Sequence, residues 1–124
     1  MITVVKEFTF DSAHFLPNHP GLCKNWHGHT YRLQIGVTKD ELNGQGMVMD
    51  FADLKKAVKP IMEALDHHVL NEVSLPGFPK ESPTAEAMVL WFSKHLPGRL
   101  LQFGVTLTQV RLWETPTSYA EWIK

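Results

Sequence analysis

Residues 27–38 have the sequence HGHTYRLQIGVT, in which polar and apolar side chains alternate. The odd-numbered positions after the two histidines all carry large aliphatic or aromatic side chains: Tyr31, Leu33, Ile35 and Val37. A period of two over this length predicts a β-strand with one face against the core. The same parity places His27 and His29 on that face, where two imidazoles can chelate one metal ion.

A third histidine follows a second alternating run. Residues 4–10 predict a strand that ends near Asp11, and His14 comes just after it. If the two strands are neighbours, His14 could join His27 and His29 in a three-histidine zinc site. Such a site leaves the fourth position of the tetrahedron open to water or substrate, which is typical of catalytic rather than structural zinc.

The stretch between the two strands, residues 15–26, is rich in proline, asparagine, histidine and glycine, and we predict a loop. It contains Cys23, the only cysteine of the chain. A lone cysteine is usually a small buried hydrophobe. Cys23, however, precedes a candidate zinc ligand by four positions, and a nearby cation favours the reactive thiolate. Cys23 is therefore a candidate nucleophile or base, and alternatively the fourth ligand of a closed, structural zinc site.

Two helices are expected after the second strand. Asp50 can cap the first, and Pro60 predicts a kink or a break within it. The second should start near residues 82–84 and stop at Pro97 and Gly98. The apolar positions of the two helices recur with a 3.6-residue period: Phe51, Leu54, Val58, Ile61, Met62 and Leu65 in the first, and Ala85, Met88, Val89, Phe92 and Leu96 in the second.

Two further strands, near residues 105–114 and 118–123, complete a ββααββ order. We predict an α+β fold with a four-stranded antiparallel sheet that both helices cover on one face. The edge strands and the other face would be exposed in a monomer, and this predicts a homo-oligomer.

Composition limits the possible partners. The chain has 124 residues, enough for a single domain, with 44% hydrophobic and 20% charged residues and a net charge of −1. No cluster of basic residues indicates a nucleic-acid or membrane partner, so a small-molecule ligand is expected. The longest apolar run, residues 87–92, is far shorter than the roughly 20 residues that span a bilayer. The lone cysteine and the absence of a signal-peptide pattern predict a cytoplasmic protein.

Two carboxylates and one further histidine are candidates for acid-base chemistry or binding. Asp66 and His67 are adjacent, an arrangement that can orient a general acid or base, although ordinary solvation of a helix end is the simpler explanation from these two residues alone. Glu114 follows an apolar strand, where it is either an ordinary strand-end charge or a carboxylate able to grip an aminopyrimidine edge. The other histidines are expected to be surface or satisfied core residues: His19, His68 and His95.

Several of these residues fall within short motifs that occur together. The motifs are FDSAH at 10–14, CxxxHGH at 23–29, GMVMDFADLK at 46–55, LDHxxLN at 65–71, PTxE at 83–86 and WET at 113–115. In this order, and over nearly the whole chain, they resemble the 6-pyruvoyl-tetrahydropterin synthase family. The three-residue gap after Cys23 and the sequence of residues 49–51 are similar to bacterial members that form 6-carboxy-tetrahydropterin in queuosine biosynthesis.

The resemblance implies a role for each candidate residue. In its terms His14, His27 and His29 bind zinc, Cys23 is the catalytic thiol, and Asp66 with His67 forms the acid-base pair. The pterin ring would be bound by Glu114 and contacted by Thr84. The chain departs from the family pattern at Phe15, where an arginine is frequent, and at Ala85, where some relatives have a hydroxyl residue.

The resemblance also implies a reaction and an assembly. The substrate would be 7,8-dihydroneopterin triphosphate, and the products 6-carboxy-5,6,7,8-tetrahydropterin, acetaldehyde and triphosphate. The fold would be the tunnelling fold, in which three subunits join their sheets into a barrel and two such rings stack into a hexamer. The alternatives are a synthase that releases 6-pyruvoyl-tetrahydropterin, cleavage of the dihydroneopterin side chain, hydrolysis by zinc hydroxide, and a non-enzymatic zinc module.

Overall fold

A computed structural model describes residues 1–124. The strands are β1 (Thr3–His14), β2 (His27–Thr38), β3 (His68–Val69), β4 (Thr106–Thr115) and β5 (Ser118–Ile123). The helices are α1 (Phe51–Leu65), between β2 and β3, and α2 (Ala85–Leu100), between β3 and β4. Short 3-10 turns occupy Leu22–Lys24, Leu70–Glu72 and Leu101–Phe103. No helix is both long and apolar enough to cross a lipid bilayer.

The sheet contains five strands in the order β3-β1-β2-β4-β5. The α+β class and both helices are confirmed, but the prediction of four antiparallel strands was wrong by one. β3 has only two residues and pairs in parallel with β1. Two residues are too few to show an alternating pattern, so this strand forms from its tertiary contacts rather than from local propensity.

The first strand is longer than expected. It pairs with β2 from Thr3 opposite Thr38 as far as His14 opposite His27, so His14 is the last residue of β1. On β2 the predicted parity is confirmed, because the aromatic and aliphatic side chains from Tyr31 to Val37 on that face are fully buried. The two histidines at the start of β2 therefore face the helices, at the edge of the core.

Both helices pack on this face, α1 against β1 and α2 against β4 and β5. Asp50 and Thr84 are their N-caps, accepting hydrogen bonds from Ala52 N at 2.8 Å and Ala87 N at 3.0 Å. α1 continues through Pro60 without a break. Most of the predicted apolar stripes are buried, although Met62 is half-buried and Phe51, in the first turn of α1, is half exposed.

The predicted stop at Pro97 was also wrong. α2 runs to Leu100 with Pro97 inside it. Leu96 and Leu100 lie one turn apart on either side of the proline, and both are almost completely buried. Burial of such a side chain contributes about 1.5–3 kcal/mol. That gain offsets the hydrogen bond that Pro97 cannot donate, which is worth about 0.5–1.5 kcal/mol.

The other face of the sheet is uncovered and carries ion pairs. Arg32 contacts Glu7 at 3.3 Å, and its guanidinium lies 3.7 Å from the ring centre of Trp113. Arg111 binds Glu121 at 2.8 Å. In one chain the sheet is therefore apolar on the helix side and charged on the opposite side.

Candidate metal centre and active site

Three histidine side chains meet where β1 ends and β2 begins. His14 is paired with His27 across the two strands, and His29 lies two residues further along β2. Their ring centres are 4.5, 4.9 and 5.0 Å apart. One ligand atom from each lies within 4.8 Å of the other two. The sequence prediction that these side chains come together is confirmed, and the group could hold a metal ion.

The ring nitrogens of this group are arranged as metal ligands require. The Nε2 atoms of His14, His27 and His29 are buried and have no hydrogen-bond partner. An unpartnered buried polar atom costs about 1–3 kcal/mol, so three at one point indicate that a further group satisfies them. One bound cation would accept all three lone pairs, and the donor set therefore fits a metal ion.

Backbone carbonyls fix the tautomers of two of these rings. His14 Nδ1 donates to Pro83 O at 3.0 Å, and His27 Nδ1 donates to Asn25 O at 2.7 Å. With the proton on Nδ1, the Nε2 lone pair points into the group. Burial lowers the pKa of His14 and of His29, which favours the neutral imidazole that binds metals. These carbonyl partners carry no side-chain signal, so the sequence could not reveal them.

Tyr31 lies beneath the histidines and was not predicted as part of the site. It is fully buried, and its hydroxyl is 3.3 Å from His14 Nδ1. Burial raises the pKa of the Tyr31 phenol, so it stays protonated. The sequence does contain a signal for this position, because Tyr31 has the same parity on β2 as His27 and His29 and therefore lies on the same face.

Glu114 is the carboxylate beside this group. Its Oε1 lies 3.5 Å from His29 Nε2, without the geometry of a hydrogen bond, and the side chain is partly exposed. It also lines a cavity of about 600 Å³ between the start of α2 and β5, which includes Ala85 and Trp122. Glu114 is therefore positioned between the histidine group and a space large enough for a small ligand.

Asp66 and His67 form a hydrogen-bonded pair at the end of α1. Asp66 Oδ2 is 2.8 Å from His67 Nδ1, and its Oδ1 accepts from Asp11 N at 2.8 Å. His67 N donates to Asp11 O at 2.6 Å and has a φ of 58°, unusual for a residue other than glycine. The pair is thus tied to β1 by main-chain hydrogen bonds, and the imidazole is held by Asp66.

The two hydrogen bonds also set the charges of the pair. The hydrogen bond from Asp11 N, followed by that with His67, lowers the pKa of Asp66. The hydrogen bond to Asp66 raises the pKa of His67. The pair therefore favours a carboxylate beside an imidazolium, the arrangement of a positioned proton donor.

Cys23 is in the 3-10 turn Leu22–Lys24, with a free and partly exposed thiol. Its sulfur does not belong to the group formed by the three histidines. Thr84 is half-buried and uses its hydroxyl to cap α2, directly after the Pro83 carbonyl that binds His14. The structure thus places Thr84 beside the site but shows its hydroxyl in a structural contact.

The remaining histidines are not part of the three-histidine group and make local contacts. His19 Nδ1 accepts from Gly21 N at 2.9 Å, and His68 Nδ1 bonds to Asp66 O at 2.7 Å. His95 stacks on Trp91 with ring centres 4.4 Å apart.

The fold and the histidine group together define a small α+β protein with a buried three-histidine site able to bind a metal. The chain belongs to the 6-pyruvoyl tetrahydropterin synthase family, whose model matches residues 3–123. This confirms the family resemblance of the sequence motifs.

Individual relatives agree with this assignment. The chain is 39% identical to a 6-carboxy-5,6,7,8-tetrahydropterin synthase of Synechocystis sp., over 98% of this chain and 93% of that protein. It is 35% identical to the protein of the same name from Haemophilus influenzae, over 98% of this chain and 99% of that protein. The structure of 6-pyruvoyl tetrahydropterin synthase from Caenorhabditis elegans matches with a TM-score of 0.85 at 24% identity, over 99% of this chain and 95% of that chain. The subunit fold that the resemblance implies is therefore confirmed.

Proposed function

We propose that this protein is a zinc-dependent lyase that converts 7,8-dihydroneopterin triphosphate, with consumption of one water molecule, to 6-carboxy-5,6,7,8-tetrahydropterin, acetaldehyde and triphosphate in queuosine biosynthesis. The observation that carries the proposal is the group of three unpartnered Nε2 atoms with the Glu114 carboxylate 3.5 Å from one of them. A metal ion and a pterin-binding carboxylate would then act on neighbouring parts of one substrate. The names of the relatives support this choice of product.

Zinc is the proposed metal, since three neutral imidazoles with an open fourth position are typical of its catalytic sites. When bound by His14, His27 and His29, it supplies Lewis acidity toward oxygens of the substrate side chain. The chain's own residues do the remaining work. Glu114 accepts two hydrogen bonds from the amino edge of the pterin, which fixes the ring. Thr84 is a second proposed contact to the pterin.

Proton transfer is assigned to Cys23 and His67. The Cys23 thiolate removes a proton from a carbon of the substrate side chain. His67, held by Asp66, moves protons at the side-chain oxygens. No nicotinamide is required, because the oxidation of the side chain and the reduction of the ring occur within one molecule.

Product analysis tests the proposal. The metal-loaded protein is incubated with 7,8-dihydroneopterin triphosphate, and the products are identified by mass. Acetaldehyde and the carboxylated pterin are expected in equal amounts. 6-Pyruvoyl-tetrahydropterin, or a pterin that has lost its side chain, would instead assign one of the other family reactions. A zinc hydrolase would need neither Cys23 nor Glu114, and a structural zinc module would give no product.

The proposal includes a homohexamer made of two trimers, located in the cytoplasm. The uncovered sheet face and the edge strand β5 support assembly, since Tyr119 and Ile123 on β5 are 50% and 69% exposed. The triphosphate needs cations that this chain does not cluster, and a neighbouring subunit could supply them. The mass in solution tests the assembly, and a fully active monomer would contradict it.

Glu114→Gln is expected to weaken the binding of every pterin, including those without a triphosphate tail. The substitution removes the charge of a carboxylate that would accept two hydrogen bonds, a loss of about 1.5–3 kcal/mol, or about ten- to a hundredfold in affinity. Titration with an unphosphorylated pterin measures the effect. Glu63→Gln, on the exposed side of α1 where Glu63 lies 3.7 Å from Lys59, is the matched control. Equal affinities for wild type and Glu114→Gln would show that the Glu114 carboxylate does not bind the pterin.

Asp66→Asn is expected to slow turnover and to lower the pKa of His67, while metal content stays unchanged. The pKa of His67 is raised by Asp66, so its protonated form persists to higher pH in the wild type. In the variant the loss of activity on the alkaline side should therefore begin at lower pH. Titration of His67 by NMR and the pH profile of kcat measure this, with the exposed Asp40→Asn as control. Wild-type values for both measurements would show that Asp66 and His67 have no catalytic role and only form a solvated helix end.

The same pair should contribute to stability only within a limited pH range. Because the folded-state pKa of Asp66 is lowered, its contribution is lost as the pH falls through that value. Because the folded-state pKa of His67 is raised, its contribution is lost as the pH rises through that value. The difference in stability between wild type and Asp66→Asn should therefore be largest at pH values between the folded-state pKa of Asp66 and that of His67.

A further inference from the structure

The side chain of Asn71 makes two hydrogen bonds to the main chain of one residue, Phe15. Phe15 N donates to Asn71 Oδ1 at 3.0 Å, and Asn71 Nδ2 donates to Phe15 O at 2.8 Å. The orientation of the amide is fixed by these partners, since a flipped amide would place the donor Nδ2 against the donor Phe15 N and the acceptor Oδ1 against the acceptor Phe15 O. The contact joins positions 56 residues apart, and Phe15 directly follows His14.

This pairing continues the parallel ladder between β1 and β3. In that ladder Ser12 is opposite His68, and Ala13 is opposite Val69. The same offset places Phe15 opposite Asn71. The main chain cannot continue the ladder, because it enters a 3-10 turn at Leu70, whose side chain is fully buried. The amide of Asn71 has a donor and an acceptor like a peptide group, and it replaces the missing strand residue.

Phe15 begins the loop of residues 15–26, which carries Cys23. Its ring packs against Trp26 at the other end of the loop, with ring centres 4.8 Å apart. Within the loop, Leu16 N donates to Cys23 O at 2.8 Å. A restraint on Phe15 therefore acts on both ends of the loop and, through Leu16, on the turn that contains Cys23.

We propose that Asn71 is a positioning residue that holds the Cys23 loop against the segment containing Asp66 and His67. Its two hydrogen bonds are the only side-chain hydrogen bonds between residues 15–26 and residues 66–72. In the proposed reaction Cys23 and His67 act on one substrate, so the two segments must keep a fixed relation. This catalytic part of the proposal rests on the proposed function, whereas the restraint on the loop does not.

The loop contains two reporters that need no substrate. Cys23 is the only cysteine of the chain, so alkylation by iodoacetamide reports on it alone. Lys24 is exposed in the same turn and is a tryptic site. In Asn71→Ala we expect both alkylation and cleavage after Lys24 to be at least about fivefold faster. Each lost hydrogen bond shifts a local opening equilibrium by about two- to tenfold.

Asn43→Ala is the matched control. Asn43 Oδ1 also accepts two main-chain hydrogen bonds, from Gln45 N at 2.9 Å and Met47 N at 3.1 Å, but in a different loop. We expect this variant to react at the wild-type rate. Equal rates for Asn71→Ala and wild type, or an equal increase in both variants, would overturn the proposal. If Asn71→Ala does not fold, Asn71→Asp replaces it as the test, and the same increase is expected. The aspartate has nearly the size of asparagine and still accepts from Phe15 N, but it places a carboxylate oxygen against the Phe15 carbonyl oxygen.

Kinetics separates this proposal from the proposed function. With the pterin triphosphate, Asn71→Ala should retain its metal and lose mainly kcat, with little change in KM. Faster alkylation together with unchanged kcat would keep the restraint but overturn the catalytic role. If wild type itself gives no product while the loop reacts faster in Asn71→Ala, the proposed function fails and the restraint stands.

Discussion

Cys23→Ala should slow turnover strongly while the protein keeps its metal, its fold and its affinity for pterins. A positioned base contributes about 10²- to 10⁴-fold to the rate of proton transfer, and we expect a loss of this size. The thiol is outside the histidine group, so its removal should not release the metal. Single-turnover kinetics with the metal-loaded variant measures the loss, and hydrogen-deuterium exchange at the substrate side chain locates it at the proton-transfer step.

Leu22→Ala is the control for this substitution. Leu22 is in the same 3-10 turn as Cys23 and is 85% exposed, so its truncation changes the turn without removing a thiol or a buried contact. It should remain active. Retained turnover in a metal-replete Cys23→Ala protein would exclude Cys23 as the base. Loss of metal together with destabilisation would instead make Cys23 a structural ligand.

Substrate protection gives an independent measurement. In wild type, alkylation of Cys23 should rise with pH as the thiolate forms, and bound pterin should slow it. Because no other cysteine is present, the extent of modification can be followed by intact mass. An alkylation rate that is insensitive to bound pterin would place the thiol away from the substrate.

The parts of the site carried by regular strands could be predicted from the sequence. Period-two alternation fixes the face of every residue on β2, so His27 and His29 had to share the face of Tyr31. His14 required one further assumption, that the first two strands pair. The pairing of His14 with His27 confirms it. These predictions succeeded because side-chain direction in a strand is a local property.

The parts that failed depend on tertiary contacts. The pairing of β3 with β1 cannot be recognised in a two-residue strand, and Leu100 extends α2 past Pro97 only because the core accepts its side chain. The orientation of the imidazoles depends on the carbonyls of Asn25 and Pro83, which any residue could supply. The sequence thus indicates which side chains form the site, whereas the contacts that orient them appear only in the structure.

His27→Ala should lose metal and activity together. His27 supplies one of three Nε2 atoms that converge within 4.8 Å, and its tautomer is fixed by the 2.7 Å hydrogen bond to Asn25 O. Loss of a partner that merely orients a ligand typically lowers metal affinity by 10- to 100-fold, so loss of the ligand itself should cost more than about a hundredfold. Elemental analysis after dialysis against a weak chelator measures the occupancy.

The matched control is His19→Ala, because His19 is an exposed loop histidine whose ring contacts Gly21 and not the metal group. It should retain the metal at the wild-type level. Thermal unfolding adds a second measurement: a ligand that binds only the folded state raises its stability, so added zinc should raise the Tm of wild type and of His19→Ala but not that of His27→Ala. Full zinc occupancy in His27→Ala would show that the three histidines are not the ligand set. His29 would then have to be protonated at Nε2, with the Glu114 carboxylate, 3.5 Å away, as the acceptor.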